Sequence, residues 1–327
     1  MELFNVTVNT VSFLLCDSQK NKLCVLLYVV LSSFMLLTIC GNLLVIISII
    51  YFRYLHTPTN YLILSMAVAD LLIGALIFPL SMTVSLKPCL YIYSLLCNLR
   101  STMDVTMGVS SLLNLCCISV DRYYAVCHPL IYKTKITDCV AMKMGLGSWA
   151  VAILCGIFVF LLFFILDECD TSCLFALIAA SVVVYYIPTI VLLFMYTKIL
   201  VVALRQARSI HNTISQNTKS KAVSSTERKA TKTLTIVIGI FLIFWVPLFL
   251  SYSFVPLDSF ILYVLLEPFN WFAISNSMLN PFIYAFFYTW FRRAFKMIIS
   301  GKIFQGTNTV LCYILFVSLL SLWLSSE

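Results

Sequence analysis

The chain has 327 residues, of which 62% are hydrophobic and 10% charged, against about 45–50% and about 25% in soluble domains. That balance excludes a water-soluble globular enzyme or binding module and points to a chain that lives in a bilayer. The formal net charge of +8 is no sign of a nucleic-acid partner, because the basic residues are confined to particular loops.

In chain order, residues 1–22 are mixed and polar, with no small-residue cleavage site behind a short apolar core, and are expected to form an external N-terminus. Asn5-Val6-Thr7 within it is a glycosylation sequon. A helix needs about 20 apolar residues to cross the hydrocarbon layer. Uncharged stretches of that kind run over 23–52, 144–166, 171–197, 233–257 and 268–291. Two more are each interrupted by one acid, 57–86 by Asp70 and 101–120 by Asp104. The prediction is an all-α membrane protein, with a seven-transmembrane helix bundle over 23–288. The connector 205–232 is basic and rich in Ser and Thr, and reads as a solvated loop with helical ends.

Residues 289–300 alternate aromatic and basic side chains at helical spacing ("TWFRRAFKMII"), which suits a short amphipathic eighth helix on the inner membrane face. The competing reading is a frayed extension of the seventh span. The tail, 301–327, holds the apolar run "VLCYILFVSLLSLWL". That run is short for a span and reads either as an interfacial segment or as the product of a wrongly predicted transcript end. Lys and Arg favour the cytoplasmic side. With the N-terminus outside, only Lys20, Lys22, Lys87 and Arg100 lie outward, and the other seventeen of the 21 basic residues lie inward. The expected location is the plasma membrane, with an extracellular N-terminus.

Ionisable residues inside spans are expensive and usually functional. Asp121 has a ready partner in Arg122. Asp104, about 25 Å away along the same helix, has none nearby in sequence and lies one or two turns below the outer surface. Two readings are open for it. It either binds a protonated amine, whose charge offsets the carboxylate's desolvation, or hydrogen-bonds a neighbouring helix. Trp245, Phe249 and Tyr252 on the sixth span, with Trp271 on the seventh, are candidates to hold the organic part of such a ligand. Met107, one turn further in than Asp104, joins them. Asp70 lies mid-span, with Asn42, Ser111, Asn276, Ser277 and Asn280 on other spans. These groups suit a small hydrated cation such as sodium, or a static hydrogen-bonded knot. No other cofactor is expected.

Pro188, Pro247 and Pro281 fall within the fifth, sixth and seventh spans, where each removes a backbone hydrogen bond and permits a kink. Bent helices also suit a secondary transporter, but the halves of the chain show no repeat. An intramembrane enzyme lacks support: the H-E-x-x-H motif is absent, and His56, His128 and His211 all lie on the inner side.

The chain resembles the rhodopsin-like G protein-coupled receptors over about residues 24–302. The matching motifs are "GNLLV" with Asn42, "MAVAD" with Asp70, "DRYYAV" with Arg122, Trp149, "FWVPLF" with Trp245 and Pro247, and "NPFIY" with Tyr284. Within that class it resembles the trace amine-associated receptors through "LHTPTNYLILSMAVADLL", "ERKATKTLTIVIGIFLIFWVP" and "NSMLNPFIYAFFYTWFRRAFK". Serotonin and adrenergic types are the nearer rivals. The resemblance implies that Asp104 is the amine-binding carboxylate and Trp245 a toggle beneath the ligand. It implies that Asp121, Arg122 and Glu227 form an inner lock, with Tyr284 in the same switch. It also implies that Asp70, Ser111, Asn276 and Asn280 line a sodium site. The partners implied are a small amine and a heterotrimeric G protein of the stimulatory, cyclic AMP-raising type, with an olfactory role.

The same resemblance implies the disulfides Cys97–Cys173 and Cys16–Cys169, which spacing alone would not select. Several positions depart from the family's pattern. Ile274 stands where related amine receptors carry a tyrosine, and Leu90 where a tryptophan is usual. Ala180, Ser181 and Val184 face the pocket on the fifth span without the second acid that some relatives use for diamines. The expected ligand is therefore a monoamine with an apolar tail.

Overall fold

The computed structural model describes residues 22–85, 91–165, 185–212, 239–248, 250–251, 260–287 and 289–299. Among them no strand occurs. The first span is Lys22–Tyr51. The second runs through Pro58–Leu72, a π-helical turn at Ile73–Ile77, and Phe78–Ser85. The third is Tyr91–Cys127, followed by a short inner helix, Pro129–Lys135. The fourth is Asp138–Ile165 and the fifth Ile187–Asn212. The sixth is described over Gly239–Leu248, the seventh is Phe260–Phe287, and the last helix is Thr289–Ile299. The architecture is the expected seven-transmembrane bundle with a short amphipathic eighth helix.

Four described helices are each long and apolar enough to cross a membrane: Val25–Tyr51, Pro58–Thr83, Asn98–Cys127 and Asp138–Leu161. The third, fourth and seventh helices begin earlier than their apolar runs, at Tyr91, Asp138 and Phe260. An apolar run marks only the part inside hydrocarbon, about 30 Å, whereas the backbone hydrogen bonds continue through the headgroup layers. Local chemistry sets the starts. Thr57 caps the second span by accepting from the Asn60 amide at 3.4 Å, with Pro58 in the first turn. Asp138 sits in the first turn of the fourth, where a negative charge meets the positive end of the helix dipole.

Side-chain distribution is that of a bundle solvated by lipid. Val45, Leu62, Met66, Leu112, Leu115, Leu192 and Phe241 are buried between helices, while Leu146, Leu154, Phe194, Ile243 and Phe286 face outward. The third span is the hub, packing on the second, fourth and fifth. Cys40, Cys116, Cys117, Cys127 and Cys155 are half-buried and Cys139 is exposed. A thiol is apolar enough to stand at the lipid-facing edge of a helix.

The last helix buries Phe291, Ala294 and Ile298 and exposes Arg292, Arg293 and Lys296. Ile298 packs with Leu44, Ile47 and Phe52 at the inner end of the first span. It is an amphipathic helix docked on the bundle, not a frayed continuation of the seventh.

Close approach of the first and seventh spans depends on a glycine. A Cβ at Gly41 would stand 2.8 Å from Cγ of Pro281, so the proline ring occupies the space where a side chain would be. Gly41→Val is expected to destabilise the bundle by about 1–3 kcal/mol, and Gly41→Ala by less. Gly147→Ala, whose Cβ would meet nothing within 4 Å, is the neutral control. Melting temperatures of the detergent-solubilised protein check this.

Candidate functional site

Asp104 projects from the outer half of the third span and is met by the seventh. Asn270 Nδ2 donates to Asp104 Oδ2 at 3.1 Å. Arg100, one helical turn earlier, brings Nε to 3.6 Å from the same oxygen. The expectation of a carboxylate with no partner nearby in sequence is thus overturned. Positions four apart share a helix face, and Arg100, counted among the outer segments, lies along that face. Its side chain is 7% exposed, whereas that of Asp104 keeps 20%.

Below this level the site is apolar. Met107 and Ile274 are buried with Ile73, Ile77 and Phe78, and Met103 and Trp271 pack against them. Phe78 and Trp271 meet edge to face, with ring centroids 5.9 Å apart at 60°. Trp245 is buried and stacks on Phe241 at 5.7 Å. Its ring lies where a Cβ on Gly108 would come within 2.8 Å of Cη2. Since Gly108 is one turn further in than Asp104, the indole forms a floor beneath the carboxylate. Asp104, Met107, Trp245, Trp271 and Ile274 therefore line one region between the third, sixth and seventh spans. Ser181, Phe249 and Tyr252 lie outside the described residues.

A polar seam runs further in. Asn280 Nδ2 donates to Asp70 Oδ2 at 2.7 Å. Asn42 Nδ2 donates to the carbonyls of Thr38 at 2.9 Å and Ser277 at 3.1 Å, and Tyr284 OH donates to Met66 Sδ at 3.7 Å. Asp70, Ser111, Asn276 and Asn280 are all buried. Asp70 Oδ1, Ser111 Oγ, Asn276 Oδ1 and Asn42 Oδ1 lack a hydrogen-bond partner among the described residues. Each unsatisfied buried polar group costs about 1–3 kcal/mol. Buried side-chain oxygens without partners, a carboxylate among them, are the donor chemistry that a small hard cation prefers, so these residues fit sodium.

At the inner end Asp121 is buried in a compact cluster. Arg122 donates to Asp121 Oδ2 from Nε at 2.9 Å and Nη2 at 2.6 Å. Thr59 Oγ1 donates to the same oxygen at 2.8 Å, and Tyr132 OH to Oδ1 at 2.8 Å. Arg122 Nη2 also donates to Thr59 Oγ1. Burial, and then the Asp121 charge, push the Tyr132 phenol above its ordinary range, which keeps it protonated as a donor. Glu227 lies outside the described residues, as do Asn5, Cys16, Cys169 and Cys173; Cys97 belongs to the third helix.

Sequence reasoning missed Asn270, Phe78, Thr59 and Tyr132, and the pairing of Arg100 with Asp104. Asn270 left a signal, a lone amide in an apolar outer half-span. Thr59 and Tyr132 left none, because only the fold brings them to Asp121.

The family of seven-transmembrane receptors of the rhodopsin type matches residues 41–284. Trace amine-associated receptor 1 of Mus musculus is 42% identical over 308 residues, covering 86% of this chain and 91% of that protein. Trace amine-associated receptor 2 of Homo sapiens is 39% identical over 330 residues, covering 91% and 92%. Trace amine-associated receptor 7e of Rattus norvegicus is 35% identical over 337 residues, covering 92% of each. The chain belongs to the trace amine-associated receptors, within the rhodopsin family. It is a membrane receptor and not an enzyme or a transporter.

In this receptor Thr59→Val and Tyr132→Phe should each lower stability by about 1 kcal/mol. The double variant should fall short of their sum, because both side chains serve one carboxylate. Thermal melting of the purified receptor provides the measurement.

Proposed function

We propose that the receptor binds a small protonated monoamine from the outer side at Asp104 and relays its arrival to a G protein inside. The observation that carries this reading is a carboxylate with a fifth of its side chain still exposed, set over an apolar and aromatic floor of Met107, Trp271, Ile274 and Trp245. An ammonium group can bring a positive charge closer to that carboxylate than the Arg100 guanidinium stands, and the floor accepts the organic remainder. Charge-assisted N–H···O bonds are about 2.7–2.9 Å long, so Arg100 at 3.6 Å is a looser partner that a ligand exchanges. Ser181, Phe249 and Tyr252 complete the pocket in this reading, and the absence of an acid at Ala180, Ser181 and Val184 favours one ammonium over two. The printed names of the relatives, trace amine-associated receptors, agree with it.

A ligand resting on Trp245 shifts the sixth span, and the inner cluster of Asp121 and Arg122 then releases, with Glu227 as Arg122's further partner and Tyr284 moving with the seventh span. The stimulatory G protein, a rise in cyclic AMP and an olfactory role belong to the same reading. So do a plasma-membrane location with the N-terminus outside, glycosylation at Asn5, and the disulfides Cys97–Cys173 and Cys16–Cys169. Sodium would sit among Asp70, Ser111, Asn276 and Asn280 and favour the resting packing.

Cells expressing the receptor should raise cyclic AMP in response to members of an amine panel. Asp104→Ala and Asp104→Asn should reduce potency at least about 100-fold, the scale of a lost buried charge partner, with surface expression retained. An undiminished response in both variants sinks the assignment. Replacing potassium by sodium at constant ionic strength should weaken agonist binding, and Asp70→Asn should abolish that sensitivity. Radioligand competition in the two salts reads it out.

A further inference from the structure

The relay above makes no use of the last helix, Thr289–Ile299, which carries Arg292, Arg293 and Lys296, all exposed. At 100° per residue the three fall within a third of its circumference, and Arg292 and Lys296 stand about 6 Å apart along its axis. The other face, with Phe291, Ala294 and Ile298, is buried. Ile298 packs in one cluster with Phe52 of the first span's inner end. Arg53, the next residue, is exposed at the start of the turn Arg53–Leu55, so a fourth cation stands at the same corner of the bundle. Arg292 Nη1 donates to the Phe286 carbonyl at 3.5 Å. Among the described residues none of the four cations has an acidic partner. Sequence accounts for that: no Asp or Glu occurs between Asp17 and Asp70 or between Glu267 and Glu327.

Depth decides what such a surface meets. Phe286, just before the last helix, faces outward where a span meets lipid, and the apolar face of the helix continues from it. The basic face therefore lies at the level of the lipid headgroups. Clustered Lys and Arg on an amphipathic helix attract anionic lipids. Three cations within about one turn concentrate more charge than a headgroup with a single net charge can answer. Guanidinium forks, moreover, match phosphate oxygens two at a time. We propose that Arg292, Arg293 and Lys296, with Arg53 beside them, form a binding site for the headgroup of a polyphosphorylated inositol lipid. A lipid held there pins the last helix against the inner end of the first span.

The test titrates the purified full-length receptor in detergent micelles with phosphatidylinositol bisphosphate, phosphatidylserine or phosphatidylcholine, and counts bound lipid by native mass spectrometry. It requires neither an agonist nor a G protein, and it does not depend on which side of a membrane the helix faces. The bisphosphate lipid should half-saturate at a concentration at least about tenfold below phosphatidylserine, and phosphatidylcholine should not saturate. Each charge removed should cost about threefold to fivefold, so the triple variant Arg292→Gln, Arg293→Gln, Lys296→Gln should lose at least about twentyfold, and Arg53→Gln about threefold. Lys133→Gln with Lys135→Gln removes two exposed cations from the short inner helix instead, and should change binding less than about twofold. Should the triple variant fail to fold, Arg293→Gln alone carries the test, with its loss of about threefold to fivefold. Unaltered binding in the foldable variant overturns the proposal, as does an equal loss in the Lys133 and Lys135 control, which would mark a general charge effect. Phosphatidylserine binding as tightly as the bisphosphate lipid overturns the choice of headgroup. Soluble inositol trisphosphate competing at the lipid's own concentration overturns the lipid as the source of the anion.

Discussion

The hydrogen bond from Asn280 to Asp70 joins residues 210 positions apart in the chain, and much of the bundle is organised around it. A carboxylate in the middle of a span has no water to turn to, so partners must come from other helices. The second and seventh spans are thereby held at one mutual depth. Asn42 ties the first span to the seventh through the Ser277 carbonyl, and Tyr284 meets Met66 one turn further in. Lipid gives no hydrophobic drive for helices to associate. These few polar contacts, with the close fit of Gly41 against Pro281, do what oil-water separation does in a soluble core.

The same seam lies between the two ends that signalling has to connect. Outward of it, Asp104 and Asn270 join the third and seventh spans, and Trp245 fills the space left by Gly108. Inward of it, Asp121 gathers Arg122, Thr59 and Tyr132. In the proposed relay, displacing the indole at one end and parting the charges at the other would both be repackings around a central third span. Packed interiors favour discrete rearrangements of this kind over gradual deformation.

How much of this was legible in the sequence depended on the range of the interaction involved. Span number followed from runs of uncharged residues, because the bilayer imposes a length on every crossing helix. The third span was read too short at both ends, and the fourth and seventh were read as starting too late, since hydropathy registers hydrocarbon and not hydrogen bonding. Asp70, Asn280 and Asn42 stood out as polar residues in apolar runs, and they do converge. Arg100 was counted only as an outer basic residue, although a position four before Asp104 lies on the same helix face and the two side chains pair. Thr59 and Tyr132 were invisible, being ordinary residues at ordinary positions until the fold places them beside Asp121. Phe78 was hidden for another reason: its direction depends on a turn that no propensity rule marks.

That turn, Ile73–Ile77, is a single widened loop of helix in which Phe78 N–H reaches back to the Ile73 carbonyl. It lies shortly before Pro79, which has no N–H to donate to the turn behind it. An extra residue taken up in this way rotates everything beyond it by about 100° relative to an unbroken helix. The inner half of the second span, with Asp70, and the outer half, with Phe78, are in effect phased independently. The apolar cluster of Phe78 and Trp271 can therefore be re-aimed by gain or loss of one residue here, leaving the half with Asp70 untouched.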